Sequence, residues 1–398
     1  MEEYAMTKRL GLGLGVTTIS AVRPSNVYSL AFDGSNDYVD LGNPTTILDD
    51  SVGTISLWAK TTNTGTMGSM FAGSDASDPS SDLTISKSSS DKLWVFVRDN
   101  DNMALGWTSD DDLSVDTWYH IVFVVGSSSN AIYVNGSLPA GDYQGDNDNT
   151  TQAWFSDVAD IDTLLIGARE HNGGIEIPWQ GNIDEVAYWN KALSAGDISA
   201  LYQAKGTVDL KSDGNSANLK GWWRMGDGRL DSYPLIADEV NPTLGSEALG
   251  DPTFDDDATQ SSAGTHWTMT AVGEGETLEV TGGKLVVADA VEVNLWDSGA
   301  MTSGKVYKFQ ITLDSYSSGR LRGAGHTGSW YLTPTGTGTY TQYFTSSGTE
   351  YRLLIDNTAN FTATDISVKP VNGNPGLMIS MAADDFETKS QDSGNVPL

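Results

Sequence analysis

The 398-residue chain contains no cysteine, so a disulfide framework and a zinc–thiolate site are both excluded. Basic residues are scarce, because 22 Lys and Arg stand against 53 Asp and Glu, for a formal net charge of −31. Such an acidic surface repels phosphates and anionic lipid headgroups, which excludes nucleic-acid binding and attachment to a membrane surface. No apolar run reaches the ~20 residues that a membrane-spanning helix needs.

Catalytic motifs are also missing from the sequence. The four histidines show no metal-ligand spacing, and there is no G-x-S-x-G elbow and no phosphate-cradling loop. Alternating carboxylates of the form E-x-D-x-x-E, which could hydrolyse a glycosidic bond from one strand, do not occur. The sequence therefore predicts a protein that is not an enzyme, and a polysaccharide-degrading enzyme with an unrecognised site is the minor alternative.

What the sequence does have is a repeated strand pattern. Residues 55–59 place Ile55, Leu57 and Ala59 on one face of a strand, and Tyr307, Phe309 and Ile311 alternate in the same way. In KLWVFVRD (92–99) both faces are apolar, so we expect that strand to lie between two layers. The fold class predicted is all-β, with two antiparallel jelly-roll β-sandwiches in tandem.

Turns and one helix punctuate this pattern. Asn135-Gly136 and Gly282-Gly283 supply the positive φ angles of tight hairpin turns. A helix is predicted from about Ala195 to Gln203, because Ser194 can cap it and Asp197 can close a capping box.

Composition shifts suggest the domain boundaries. We predict an N-terminal arm (1–26), a first sandwich (27–206), a linker with a Trp-rich strand (207–253), a second sandwich (254–371) and a C-terminal tail (372–398). The apolar segment Leu10–Val22 is interrupted by glycine and follows Glu2 and Glu3, so we interpret it as part of an arm, not a secretion signal. The tail lacks strand periodicity and ends in polar residues, which is typical of an extended segment.

Three motifs give the first sandwich a family resemblance: YSLAFDGSNDYVDLG (28–42), TISLWAKT (54–61) and GNIDEVAYWNKALSAGDISALY (181–202). Together they resemble the laminin G-like, concanavalin A-like jelly roll. The resemblance implies that the opening strand pairs with the IDEV strand and that the helix plugs the sandwich edge.

The second sandwich looks like a galactose-binding-like jelly roll of the carbohydrate-binding-module type, through TSGKVYKFQITLD (302–314), GTYTQYFT (338–345) and ATDISV (363–368). The order KRLGLGLG, SLAFDG, LKGWWRMGDG and NPGLMISMAADD is similar to that of tailed-bacteriophage virion proteins. That resemblance implies a capsid-decoration, head-fibre or tail-fibre protein.

Glycan binding needs aromatic faces for sugar rings and short polar side chains for hydroxyls. The candidates are Trp179 in the loop EIPWQGN, Trp267, and Trp330 with Tyr331 in HTGSWYLTPTG. The alternative is that these rings, Trp267 above all, belong to the core.

The jelly-roll resemblance also implies a structural calcium ion where the opening and closing strands meet, at Asp33 and Asp184. Oxygen ligands suit this hard ion, and a cation would relieve the repulsion between two buried carboxylates. Asp365 matches the corresponding position of the second sandwich. The alternative is that Asp33 caps the GSND turn and Asp184 accepts backbone donors.

The function expected is that of a non-enzymatic bacteriophage virion protein, present in many copies or as a homo-oligomer. It would contact other virion proteins through its arm and tail and hold host-surface glycans weakly. The alternative is a secreted bacterial carbohydrate-binding or adhesin protein.

Overall fold

A computed structural model describes residues 26–43, 47, 50–78, 80–256, 258–259, 264–270, 272–297, 301–324, 326–327 and 331–389. The predicted arm lies outside this range except for Asn26, and so do residues 390–398 of the predicted tail. The described residues form two antiparallel β-sandwiches and the α-helix α1 (Ala195–Ala204). The all-β fold class is therefore confirmed.

The first sandwich packs two antiparallel sheets face to face. The seven-stranded sheet has the order β27 (Phe386–Thr388), β1 (Tyr28–Asp33), β14 (Gln180–Trp189), β3 (Gly53–Thr61), β8 (Trp118–Val125) and β9 (Asn130–Val134), with β15 (Leu219–Trp223) also paired to β14. The nine-stranded sheet has the order β10 (Gly141–Tyr143), β7 (Asn102–Asp112), β6 (Lys92–Asp99), β5 (Asp82–Lys87), β4 (Gly68–Ser74), β11 (Thr163–Ile166), β2 (Tyr38–Asp40), β26 (Gly376–Ile379) and β16 (Leu235–Ile236). A separate hairpin joins β12 (Arg169–His171) to β13 (Gly174–Glu176).

The core between these sheets follows the strand alternation. Ile55, Leu57 and Ala59 all point into it, as predicted, whereas Trp58 lies on the opposite face against Trp118. The predicted pairing of the opening strand with the IDEV strand is confirmed, because Leu30 lies opposite Ile183 in the β1–β14 ladder.

Helix α1 has the predicted start and cap. The Ser194 side chain accepts a hydrogen bond from the Asp197 backbone amide at 3.2 Å, and Asp197 closes the capping box. Lys205 ends the helix in the left-handed conformation, with φ 49°. The buried Ile198 packs with Val122 and Ala187 on the outer side of the seven-stranded sheet, so the helix covers a sheet face instead of plugging an edge.

The prediction of an extended C-terminal tail is wrong for residues 376–389. Strand β26 lies inside the nine-stranded sheet, between β2 and β16, and β27 pairs with β1 at the edge of the other sheet. Met378 and Met381 are buried in the first core. Periodicity over two strands of three or four residues is too short to be recognised in a sequence, which explains the error.

The predicted linker is also mostly part of the first sandwich. Strand β15 pairs with β14, and both Trp222 and Trp223 are buried. Strand β16 pairs with β26 through Leu235 and Leu377. The second sandwich is thus inserted into the first one, because chain segments on both sides of it complete the first fold.

The second sandwich consists of one sheet that folds over on itself. Its order is β17 (Ala258–Thr259), β19 (Thr277–Thr281), β20 (Lys284–Asp297), β25 (Tyr351–Pro370), β21 (Val306–Ala324), β24 (Gly338–Ser346) and β22 (His326–Thr327), with β18 (Thr268–Met269) paired to β20 and β23 (Tyr331–Leu332) paired to β21. The β21–β25 ladder shifts register between Leu313 and Arg320, and such bulges bend strands. The two halves of the long hairpin therefore face each other, and Phe309 stacks on Tyr351 with ring centroids 6.1 Å apart.

The hairpin turns agree with the sequence. Asn135 and Gly136 have φ angles of 52° and 77°, and Gly282 and Gly283 have 57° and 74°. All four angles lie in the left-handed region that these turns require.

Candidate functional site

Two of the predicted sugar-stacking residues are buried, so that prediction is wrong for both. Trp179 is 1% exposed, because its side chain turns into the first core and packs against Gly68. Trp267 is fully buried beside Phe254, and its Nε1–H donates to the Asp251 backbone carbonyl at 3.1 Å. The alternative, that the Trp267 ring belongs to the core, is therefore confirmed.

The other two candidates are not tested. Trp330 lies outside the described residues, and for Tyr331 only the backbone is described, in β23. Both remain sequence-based predictions.

The predicted calcium pair, Asp33 and Asp184, is not brought together. Asp33 lies opposite Gln180 in the β1–β14 ladder, four residues from Asp184, which corresponds to ~13 Å along the strand. Among the described residues, no group of three or more acidic or histidine side chains is arranged to hold a metal ion. These residues do not fit a shared calcium site.

Each of the two carboxylates has a different role. Asp33 Oδ1 accepts the backbone N–H of Ser35 at 2.7 Å and of Asn36 at 3.4 Å, so the turn-capping alternative is confirmed for Asp33. Asp184 is completely buried, and its Oδ2 accepts a hydrogen bond from Lys389 Nζ at 2.6 Å. Burial raises the pKa of Asp184, and the Lys389 ammonium opposes that shift.

Asp365, the calcium candidate of the second sandwich, is exposed. Its Oδ2 accepts a hydrogen bond from Thr364 Oγ1 at 3.0 Å, and across the ladder it faces Thr312. This arrangement supplies one carboxylate and hydroxyl neighbours, which does not make a calcium cage.

The face of the nine-stranded sheet that points away from the first core carries a different set of groups, and we call it the outer face. Residues directly opposite in an antiparallel ladder share a face, so the register assigns its members to rows. The three rows contain Trp94, Ser86 and Ser69; Phe96, Thr84, Ala72, Leu165 and Asp40; and Arg98, Asp82, Ser74 and Thr163.

An aromatic pair stands at the β6 end of these rows. The rings of Trp94 and Phe96 are 4.4 Å apart, and the Arg98 guanidinium lies 5.0 Å from the Phe96 ring. Phe96 is buried, whereas Trp94 is half-buried. A partly exposed indole supported by a buried ring is a suitable platform for an apolar ligand face.

Polar groups flank this platform. Gln144 lies over Gly106, where a Cβ atom would approach the Gln144 side chain to 3.1 Å, and its Nε2–H donates to Thr108 Oγ1 at 3.1 Å. Thr108 lies opposite Trp94 in the ladder. We call Trp94, Phe96, Arg98, Thr108 and Gln144 the outer-face cluster.

The β12–β13 hairpin covers the neighbouring part of the outer face and is tied to it by charge. The Asp82 carboxylate accepts hydrogen bonds from Arg98 Nε and Arg169 Nη1, each at 2.9 Å. Arg169 Nη2 also pairs with Glu176 at 2.9 Å, and His171 Nδ1 lies 3.2 Å from Glu176. These contacts hold the hairpin as a wall beside the outer-face cluster.

Several polar atoms on this side of the sheet have unused hydrogen-bonding capacity. Ser69 Oγ, Ser74 Oγ, Trp94 Nε1 and Arg169 Nε are buried and have no partner among the described residues. Buried polar groups normally have a partner, so these four atoms have hydrogen-bonding capacity that a water molecule or a ligand could use.

The sequence did not reveal this site. The alternation of KLWVFVRD was visible, but two apolar faces indicated a strand between layers. In the structure Leu93, Val95 and Val97 face the core, whereas Trp94 and Phe96 lie on the outer face. The signal that could have revealed it is Arg98, which continues the Trp94–Phe96 face and would be unusual in a fully buried layer.

The family comparison agrees with the first sandwich. Residues 33–199 match a laminin G-type family model, described as the concanavalin A-like lectin/glucanases superfamily. The matched residues are therefore similar in sequence to concanavalin A-like domains, over the greater part of the first sandwich. None of the curated proteins compared with the chain matches it.

Solved structures with similar folds include a Ruminococcus gnavus sialidase module, CBM40, bound to α2,3-sialyllactose, at 16% identity and a TM-score of 0.36, with 44% of this chain and 95% of that chain covered. A putative carbohydrate-binding protein from Bacteroides ovatus is 18% identical over 53% of this chain and 55% of its own, with a TM-score of 0.37. A heptameric SAP-like pentraxin from Limulus polyphemus is 16% identical over 47% and 90%, with a TM-score of 0.34.

Within the described ranges, no helix has the length and apolar character that a membrane span needs.

Proposed function

We propose that the first sandwich binds glycans at the outer-face cluster. The observation that carries this proposal is the half-buried Trp94 ring, which lies beside the buried Phe96 ring and is bordered by Arg98, Thr108 and Gln144. An indole face can contact the apolar side of a sugar ring, while guanidinium, hydroxyl and amide groups bond its hydroxyls. The match of residues 33–199 to a superfamily that includes lectins supports the same function.

The test compares two tryptophan variants of the full chain on a glycan array, followed by calorimetry on each positive glycan. Trp94→Ala is expected to weaken binding at least tenfold. Trp296→Ala is the matched control, because Trp296 is also half-buried and lies beneath a guanidinium, that of Arg352, but belongs to the second sandwich. Equal binding of every positive glycan by the wild type and Trp94→Ala, or no binding by either, would overturn the proposal.

We propose that this binding is not accompanied by catalysis. The two carboxylates beside the cluster, Asp82 and Glu176, are both ion-paired with Arg169 and are therefore occupied in holding the hairpin. Incubation of a bound oligosaccharide with the protein is expected to release no new reducing ends. Release that depends on Asp82 or Glu176 would make the protein a glycosidase.

We further propose a location on the surface of a bacteriophage virion, as a decoration or fibre component in many copies. The support is the order of the four sequence segments that resemble tailed-phage proteins, two of which, SLAFDG and LKGWWRMGDG, overlap strands β1 and β15 of the first sandwich. Mass spectrometry of purified particles should find the protein in many copies. Its recovery only from bacterial culture supernatant would favour the secreted adhesin.

A further inference from the structure

A cleft lies between the two sandwiches, and none of its lining residues belongs to the outer-face cluster. It encloses about 400 Å³, a volume within the range of small-molecule sites. One wall is formed by residues 40–43, at the end of β2 and just after it. The opposite wall is formed by residues 304–306, at the start of β21. Residues 371–375, which return the chain to the first sandwich, complete it.

The two chain crossings between the sandwiches hold this cleft in shape. They run side by side and are joined by backbone hydrogen bonds, from Gly245 N–H to the Pro370 carbonyl at 2.8 Å and from Asn372 N–H to the Thr243 carbonyl at 2.9 Å. Val371 N–H also donates to the Val306 carbonyl of β21 at 2.8 Å. Two paired crossings restrict relative motion more than one flexible linker does, so the cleft exists before any ligand binds.

An apolar contact beneath the cleft adds to this restraint. Leu235 of the first sandwich packs with Val306 of the second and with Val371 of the returning crossing, and all three are buried. The cleft floor is therefore continuous with a small core shared by the two sandwiches.

The polar lining consists mainly of carboxamides that are already oriented. Asn372 Nδ2 donates to Thr243 Oγ1 at 2.9 Å, and Asn374 Nδ2 donates to the Lys220 carbonyl at 3.1 Å. Each bond uses the side-chain NH2 group and leaves the side-chain carbonyl oxygen available as an acceptor. Asn43, at the mouth, is exposed and can both donate and accept.

Two charged residues line the described part of the cleft, Asp40 and Lys305. Asp40 Oδ1 accepts the Gly42 N–H at 2.7 Å, and Lys305 makes no ion pair with any described residue. The lining therefore has no net charge, while the chain as a whole carries −31. An anionic ligand would be opposed by Asp40 and by the field of the whole protein.

We propose that this cleft binds a neutral, hydroxyl-rich ligand of the size of a mono- or disaccharide. Carboxamides, the Thr345 hydroxyl, one ammonium and one carboxylate can satisfy donors and acceptors on the same sugar ring. Because no aromatic side chain is among the described lining residues, recognition relies on hydrogen bonds and depends on hydroxyl configuration. The site is separate from the outer-face cluster and does not depend on the function proposed for it.

The experiment uses the full chain and a panel of methyl glycosides with gluco, galacto and manno configuration, with saturation-transfer NMR and calorimetry as readouts. At least one glycoside is expected to bind the wild type and to be displaced by a hydroxyl-matched disaccharide. Asn43→Trp should abolish binding by filling the mouth of the cleft, and Lys305→Met should weaken it at least fivefold. Both positions are exposed, so the melting temperature should stay unchanged.

Trp296→Ala is the matched control and should bind the glycosides like the wild type, because Trp296 is not among the described residues that line the cleft. Trp94→Ala separates the two sites, since it should weaken only those ligands that bind at the outer-face cluster. Failure of the whole panel to bind, or unchanged binding by Asn43→Trp, would overturn the proposal. Tighter binding of the corresponding uronates would contradict the neutral ligand class. Loss of binding in Trp94→Ala alone would reassign the glycosides to the outer-face cluster.

Discussion

The two sandwiches close in different ways. The first takes strands from both ends of the described chain, since β26 and β27 return to it after the second sandwich is complete. The second is continuous and closes through its own long strands, β21 and β25, which run through both layers. A domain closed by a distant segment depends on contacts between residues far apart in the sequence. A bent hairpin depends on contacts between two strands that are closer in the sequence.

Charge is also used differently in the two sandwiches. In the first, Lys389 and Asp184 are 3% and 0% exposed and form an ion pair at 2.6 Å. In the second, Arg320 pairs with Asp356 at 2.8 Å, but the arginine side chain is 40% exposed. Removing one partner of a fully buried pair leaves an uncompensated charge, whereas a pair whose arginine reaches solvent contributes less. The returning segment should therefore matter more than any surface ion pair.

The most severe change is deletion of residues 376–398. It removes β26 and β27 together with Met378, Met381 and the Lys389 ammonium, so the first sandwich should fail to fold. The second sandwich should keep its own unfolding transition. Hydrogen exchange followed by mass spectrometry can assign protection to each sandwich, and full protection of β1 and β14 in the truncated chain would refute this view of the first domain.

Lys389→Met should destabilise the first sandwich by about 3–5 kcal/mol, because Asp184 would stay buried without a cation. Arg320→Met, the matched control in the second sandwich, should cost about 1 kcal/mol or less, since Arg322 Nε remains 3.5 Å from Asp356. Denaturant unfolding measures both. Adding Asp184→Asn to Lys389→Met should restore part of the loss, and no recovery would mean that packing, not charge, explains the effect.

Acid should weaken the first sandwich through His120. Burial lowers the pKa of His120 to about 3, and its Nε2 lies 2.9 Å from Ser56 Oγ. In the unfolded chain His120 takes up a proton near the ordinary histidine pKa of 6.5, whereas in the folded chain it does not. The contribution of His120 to the free energy of unfolding is therefore fully present above pH 6.5 and falls as the pH drops toward 3. At pH 5 the loss is ~2 kcal/mol.

His120→Gln should remove that contribution. The difference in unfolding free energy between wild type and variant should therefore change between pH 7 and pH 5, in the direction of a relatively more stable variant in acid. A constant difference across this range would mean that His120 takes up a proton as readily in the folded protein as in the unfolded chain.

The smallest expected effects concern two hairpin turns. Gly282→Ala in the second sandwich should cost about 1 kcal/mol, because φ is 57° and nothing lies within 4 Å of an added Cβ. Gly136→Ala in the first should cost about 2 kcal/mol, since its Cβ would also meet Tyr202 at 3.0 Å. Equal losses of stability in thermal melts would show that Tyr202 of helix α1 moves aside without an energetic cost.

Local features of both sandwiches could be predicted from the sequence. The cap at Ser194, the turns at Asn135-Gly136 and Gly282-Gly283, and the inward face of Ile55 and Leu57 all depend on residues a few positions apart. Trp179 and Trp267 could not be placed in this way, because an indole in a loop can turn to solvent or to the core. Which of the two happens depends on distant groups, Gly68 for Trp179 and Asp251 for Trp267.

The sequence by itself determined the strand alternation, the turns, the helix and the acidic, cysteine-free character of the chain, since these follow from side-chain periodicity, backbone preferences and composition. Only the tertiary structure decided that residues 376–389 close the first sandwich, that Lys389 pairs with Asp184, and that Trp94 stands on an outer face. The physical reason is distance along the chain. Asp184 and Lys389 are 205 positions apart, and no local pattern records a partner that only the completed fold brings near.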